Sequence, residues 1–305
     1  MMPSLPSHIE IVEVSPRDGL QNESTQVSTE NKVALIQNAI DAGARRIEVT
    51  SFVNPRAVPQ MADADQVAAQ LPERDDVTYI GLVMNRRGAE RALATGQIDQ
   101  LGAVAVASDG LGIANQGQTS EQSVAVASEI VGLAKEAGKT AQVTIAASFG
   151  CPFDGETEEA QVVSMARELA KAGPVEIALA DTIGVGNPAH VHTLVSAVKD
   201  AVEGLPVRLH FHNTRGTGLA NVWAAIGAGA STIDCSIGGL GGCPFSPGAA
   251  GNVATEDVVY MLERAGIDTG MDQAKLGITN EWLKGVMGKE LPAAVPKARA
   301  FPPQA

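Results

Sequence analysis

Cysteine is scarce in this chain: 305 residues hold three, Cys151, Cys235 and Cys243. They show neither CxxC pairing nor the density of a secreted disulfide scaffold, so a reducing, cytoplasmic setting is expected. Long apolar runs are also missing. No stretch approaches the roughly eighteen apolar residues a membrane helix needs, and residues 1–8 lack the apolar core of a signal segment, so neither anchor nor leader is expected. Basic charge is outweighed, with 22 Lys+Arg against 35 Asp+Glu and a formal charge of −13. Nucleic acid and anionic membrane both want a basic face and are excluded as partners. Proline-rich or serine-rich linkers are absent too, which argues against a division into two domains.

What is present is a large apolar fraction, 45%, enough to bury one big core. Apolar strand runs alternate with amphipathic helices. Strands are predicted near residues 9–14, 46–51, 77–83, 103–107, 140–147, 175–180, 207–212 and 231–236, each followed by a helical pattern such as 29–42, 120–137, 157–172 or 188–202. Gly43, Gly138, Gly173 and Gly204 stand where helix C-termini favour glycine. Eight such units in about 265 residues match the α/β class of (β/α)8 TIM barrels; a doubly wound open sheet is the alternative. The expected organisation is a barrel over residues 1–270 and a C-terminal extension over 271–305. In the extension, 271–289 forms one or two helices and the proline-bearing tail from Leu291 frays or lies over the surface.

In such a barrel the active site forms at the C-terminal ends of the strands. Seven of the eight predicted ends carry polar or glycine-rich segments. Val207, Leu209 and Phe211 alternate with Arg208, His210 and His212, so the two imidazoles share one strand face roughly 6 to 7 Å apart at Cα. Asp18, after the first strand, supplies a carboxylate. One carboxylate and two imidazoles with open positions suit Mg2+ or Mn2+, though ligand type alone leaves Zn2+ and Fe2+ open. Asn252 can add a neutral oxygen, and Asp18 also reads as a turn residue before Gly19. Arg17 is suited to hold a carbonyl or enolate oxygen. Glu48 alternates with Ile47 and Val49 and faces the lumen, as a base or proton relay or as the ion-pair partner of Arg17. Cys243, after four glycines in 238–242, can give or take a proton from a loop able to move as a lid. Cys151 and Cys235 read as small buried apolar residues, and His190 and His192 as surface histidines.

The segments Ser15-Pro16-Arg17-Asp18-Gly19-Leu20-Gln21-Asn22-Glu23, 47–53 (IEVTSFV), 150–153, 181–186 (DTIGVG), 238–244 and 248–257 (GAAGNVATED) together resemble the 3-hydroxy-3-methylglutaryl-CoA lyase family, metal-dependent TIM-barrel acyl-CoA lyases. The similarity runs over nearly the whole chain. It implies Mg2+ or Mn2+ on Asp18, His210 and His212 with Asn252 in or near the ligand shell. It further implies charge neutralisation by Arg17 at the thioester oxygen, proton transfer by Cys243, and acidic site positions at Glu48 and Asp181. Arg17, Gln21 and Arg215 are the expected substrate contacts. The implied reaction is retro-Claisen cleavage of a 3-hydroxyacyl-CoA, 3-hydroxy-3-methylglutaryl-CoA or a related branched analogue, to acetyl-CoA and a 3-oxo acid. Related barrels that act as Claisen-type synthases or pyruvate-linked aldolases share the Arg-Asp and His-x-His elements, and a catalytically silent metabolite-binding barrel is a further reading. The first and eighth loops favour the lyase. Relatives form dimers, so a homodimer or higher homo-oligomer is expected.

Two segments depart from the family pattern. After His212 the lyases usually continue Asp-Thr-Tyr-Gly, whereas here Asn213-Thr214-Arg215-Gly216 follows. The fourth loop, 108–115, lacks the lysine-containing run. Both point to a related 3-hydroxy-3-carboxyalkyl acyl-CoA, with Arg215 as a contact for the extra carboxylate or as the partner of a loop acid.

Overall fold

A computed structural model describes residues 5–242, 251–299 and 301. Eight strands, β1 (Glu10–Glu13), β2 (Arg46–Ser51), β3 (Thr78–Val83), β4 (Gln100–Val106), β5 (Thr140–Ala146), β6 (Ile177–Asp181), β7 (Val207–Phe211) and β8 (Thr232–Cys235), pair in sequence order, all parallel. β8 returns to β1 in register from Glu10↔Thr232 to Glu13↔Cys235, which closes the barrel and excludes the open sheet. Around it lie α1 (Thr29–Asp41), α2 (Ala64–Ala69), α3 (Arg86–Ala94), α4 (Asp109–Gln116), α5 (Ser120–Glu136), α6 (Glu159–Ala172), α7 (Pro188–Ala201), α8 (Gly218–Gly227) and α9 (Thr255–Arg264). None of the described helices is long and apolar enough to cross a membrane.

Period-two alternation decides which residues meet the helices. Ile47 and Val49 of β2, Val143 and Ile145 of β5 and Leu209 and Phe211 of β7 point outward into the main core. Their neighbours fill the lumen, and that lumen is unusually polar. Near its base Arg46 hydrogen-bonds Glu10, Gln100, Gln142 and Glu176. This polar layer explains why β4 begins at Gln100 rather than at Ala103, where the apolar run starts: Gln100 belongs to the strand but faces Arg46. Local capping matches the sequence signals, as in the reciprocal Thr119–Gln122 box that opens α5. Gly173 closes α6 in the left-handed region at φ 73°.

Beyond the eighth unit a single helix, α10 (Gln273–Met287), opens on the Asp272 cap and packs its buried Leu276, Leu283 and Met287 beside α1 and α9. The segment after it is pinned rather than frayed. Leu291 and Ala293 are 2% exposed, and the amides of Ala294 and Val295 donate to Asp257.

The extension also holds the root of the glycine-rich segment. The Gly238 amide donates to both oxygens of Glu256 at 3.0 Å, and Asn280 of α10 donates to Glu256 at 2.8 Å. Gly238 sits at φ 74°, and a Cβ there would meet Leu291 Cδ1 at 2.6 Å, so only glycine fits. Burial lifts the Glu256 carboxyl to about 7 from an ordinary 4.5, against the pull of these donors. The folded protein therefore keeps a proton that the unfolded chain releases near 4.5. The stability this confers is complete below that pH and is lost as pH rises to about 7. Across that window the loss amounts to roughly 3 kcal/mol. Glu256→Gln, which cannot ionise, is expected to gain stability relative to the parent between pH 5 and 8 in urea titrations; parallel pH curves for the two proteins would refute this.

Candidate active site

At the end of β1, Ser15–Gly19 forms one π-helical turn with Pro16 at its start, where a missing amide costs nothing. The turn carries Arg17 and Asp18 into the barrel mouth. Gly19 is required by close approach, since a Cβ there would lie 2.7 Å from Ser236 Oγ at the end of β8. β7 adds His210 and His212 on its lumen face, β2 adds Glu48, and β8 adds Asp234.

Ligand atoms of Asp18, His210 and His212 all lie within 4.8 Å of one another. His210 Nε2 stands 3.9 Å from Asp18 Oδ2, and the two imidazole centroids are 5.2 Å apart. His210 Nδ1 donates to the Asp234 carboxylate, 3.1 Å from Oδ2, which turns Nε2 toward Asp18. Among the described residues the buried His212 Nδ1 has no hydrogen-bond partner. A carboxylate, a neutral imidazole and an orphaned buried nitrogen in this compass fit a divalent cation. The electrostatics agree. Burial pushes the Asp18 carboxyl up, but Arg17, His210, His212 and the Asn252 amide outweigh it and hold it well below the usual range. Burial and the neighbouring His210 press His212 down to about 4, so it is neutral at physiological pH. For His210 burial acts downward, yet Asp234 and Asp18 prevail and its pKa lies above the ordinary value.

These groups open onto a cavity of about 460 Å³. Arg17 forms its edge, with Nη1 donating to Asp18 Oδ1 at 2.6 Å and Nε donating to Glu48 Oε1. Glu48 is 3% exposed; burial raises its pKa, and Asp234 adds to the rise against the pull of Arg17. Gln21 lines the cavity with a buried Oε1 that lacks a partner. Leu82, Met84, Val104, Leu111 and Phe153 make an apolar wall. The last two are positioned by a bridge between the fourth and fifth loops, where Asp154 accepts from Ser108 Oγ at 2.6 Å and from the Gly110 amide at 2.8 Å. Cys151 and Cys235 are buried as expected, while His190 is half-buried with its ring edge-on to Phe149.

Three further predicted site residues make these contacts. Asn252 turns its amide nitrogen to Asp18 Oδ2 at 2.7 Å and to the Leu240 carbonyl at 3.0 Å, beside the ligand set, and so orients the carboxylate. Asp181 accepts from the amides of Val185 and Gly186 at 2.9 Å each and does not line the cavity; its carboxylate shapes the sixth loop. Arg215 donates to the carbonyls of Ile183 and Gly184, tying the seventh loop to the sixth, and pairs with no loop acid. Cys243 lies outside the described residues. Asp234 is the residue the sequence reading missed. Its signal was the same as that of Glu48, an acid alternating with Ile233 and Cys235 on a strand.

A closed parallel barrel with one carboxylate and two imidazoles at its C-terminal mouth defines a metal-binding barrel enzyme. A family model described as HMGL-like matches residues 8–282. The (R)-citramalyl-CoA lyase of Chloroflexus aurantiacus is 42% identical over 306 residues, 97% of this chain and 96% of its own. Among solved structures, the HMG-CoA lyase of Bacillus subtilis superimposes with a TM-score of 0.93 at 39% identity, covering 96% of this chain and 98% of that one. An HMG-CoA lyase from Acinetobacter baumannii, in complex with coenzyme A and 3-methylmalate, gives 0.92 at 40%, covering 98% and 97%. The chain belongs to the HMGL-like family and is a carbon–carbon lyase.

Proposed function

We propose that the protein cleaves the C2–C3 bond of a 3-hydroxyacyl-CoA whose C3 also bears a carboxylate, the citramalyl-CoA type, releasing acetyl-CoA and a 2-oxo acid. The observation that carries this reading is the Arg17 guanidinium set between Glu48 and Asp18 at the edge of one cavity. Asp18, His210 and His212 would hold Mg2+ or Mn2+, which when bound supplies Lewis acidity at the substrate hydroxyl and carboxylate. Glu48, buried and with its pKa raised, takes the hydroxyl proton. As C3 becomes a carbonyl, the C2–C3 electron pair passes to the thioester as an enolate. Arg17 stabilises that oxygen, and protonation at C2 completes acetyl-CoA. Cys243 is the proposed donor of that proton, on the family resemblance alone.

The carboxylate position follows from the inventory of cations. Among the described residues Arg17 is the only arginine or lysine lining the cavity, and it is already committed to two carboxylates. A substrate carboxylate on the carbinol carbon would share the divalent cation with the hydroxyl. One placed a methylene further away would gain no separate cationic partner among these residues. The Chloroflexus citramalyl-CoA lyase and the 3-methylmalate complex support this class. With Mg2+ or Mn2+ present, citramalyl-CoA is expected to yield equal amounts of acetyl-CoA and pyruvate. Its kcat/KM should exceed that for methylglutaryl-CoA by at least about 10-fold. Cleavage of neither thioester would sink the lyase reading for these substrates; preference for methylglutaryl-CoA would sink the carboxylate argument alone.

A further inference from the structure

The strand that carries both imidazoles continues inward to Arg208, on the same lumen face two residues before His210. This arginine is 1% exposed and among the largest fully buried side chains of the chain. A guanidinium at that depth needs ionic partners, and it has them on two sides. Nη1 meets Asp234 Oδ1 at 2.6 Å, and Nε lies 3.1 Å from Glu176 Oε1. Nη2 donates to Thr144 Oγ1 at 3.1 Å. Glu176 is in turn held by Arg46, whose Nη2 lies 2.5 Å from Oε1 and whose Nη1 reaches Glu10 at 2.6 Å. Charges of alternating sign thus rise through the lumen from Glu10 and Arg46 through Glu176 and Arg208 to Asp234. At the top, Asp234 divides its two oxygens between Arg208 and His210.

We infer that Arg208 is a positioning residue for the metal centre, acting through Asp234. Its Nη1, set by the anchoring of Nη2 on Thr144 and Nε beside Glu176, fixes one carboxylate oxygen and leaves the other to receive the Nδ1 proton of His210. That in turn directs Nε2 toward Asp18. Partners of this kind behind a metal-bound histidine change affinity by about 10- to 100-fold. The register supports the coupling, because Arg208 and His210 stand directly beside Thr232 and Asp234 across the β7–β8 ladder. The inference rests on the proposed metal centre, and the experiment separates the two.

Mn2+ binding to the purified full chain, read from the loss of the free-ion paramagnetic resonance signal well below the unfolding temperature, is the test. Relative to the parent, Arg208→Gln should weaken binding by about 10- to 100-fold, and Arg208→Lys, which keeps the charge but loses the fork, should recover part of that loss. In the cycle with Asp234→Asn, the double variant should bind no more weakly than Asp234→Asn alone. Parent-like affinity in a folded Arg208→Gln protein, or strict additivity in the cycle, would overturn the inference. If Arg208→Gln does not fold, parent-like affinity in Arg208→Lys would overturn it equally. A parent that binds no Mn2+ overturns the metal centre itself, a result distinct from a binding parent whose Arg208 variants match it.

Discussion

His212→Ala is expected to weaken Mn2+ binding by at least about 100-fold, beyond what loss of an outer partner costs, and to remove turnover at metal concentrations that saturate the parent. Of the three ligand candidates His212 offers the cleanest subtraction. Asp18 accepts from Arg17 and Asn252, and His210 is joined to Asp234, so truncating either leaves buried partners unsatisfied and disturbs more than the metal. His212 Nδ1 has no partner to orphan. Its imidazole, held at about 4, is neutral across the working pH range, so its removal alters no net charge. The change in folding stability should accordingly stay near that of an ordinary buried truncation, while metal affinity collapses. Calorimetric titration of Mn2+ into both proteins, with urea unfolding in a chelator as the parallel measurement, checks both halves. A His212→Ala protein that binds Mn2+ as tightly as the parent would remove this residue from the metal site.

The barrel was legible because its outward-facing residues obey a strict alternation and its helices carry conventional caps, both local properties of the chain. The lumen was less legible. Gln100 interrupts an apolar pattern for a reason that lies on another strand, in Arg46, and no window of sequence contains both sides of such a pair. The candidate metal triad could be read because two of its members share a strand and the third sits beside an arginine at another strand's end. Asp234 went unread because its partner is on the neighbouring strand, and a single acid in TIDCS has no periodic or motif signal beyond its alternation. Asn252, Asp181 and Arg215 stand at strand ends or in the loops that follow them, but which atom each presents there depends on hydrogen bonds to loop backbone. Val185, Gly186, Ile183 and Leu240 contribute only amides and carbonyls to those bonds. Side-chain identity carries no information about such contacts. For the segment after α10 the prolines left fraying and lying over the surface both open, because the Asp257 carboxylate that gathers the Ala294 and Val295 amides lies about forty residues earlier in the chain.

Arg17→Gln is expected to lower kcat by about 10²- to 10³-fold, roughly 3 to 4 kcal/mol of transition-state stabilisation, while Mn2+ binding is retained or strengthened. The two readouts diverge because Arg17 faces two tasks of opposite consequence. Toward the substrate it is a preorganised cation at the cavity edge, 11% exposed in its side chain and fixed by Glu48 and Asp18, so it needs no reorganisation when negative charge develops on the thioester oxygen. Toward the metal it competes, since its Nη1 lies 2.6 Å from the Asp18 oxygen and repels a second cation nearby. Removing it raises the pKa of Asp18 from a value far below the usual carboxylate range, which leaves the group ionised at neutral pH and still able to bind metal. The loss of Arg17 also frees Glu48 from the charge that partly restrains its raised pKa. The acidic limb of the pH–rate profile should therefore move to higher pH in the variant, in the direction of a stronger base protonated earlier. Glu48→Gln, by contrast, should remove that limb, since the carboxylate assigned to the hydroxyl proton is gone. If Arg17→Gln loses metal affinity in proportion to rate, the guanidinium is holding the ligand set together and is not the enolate partner. If kcat is unchanged at saturating metal and substrate, neither role survives.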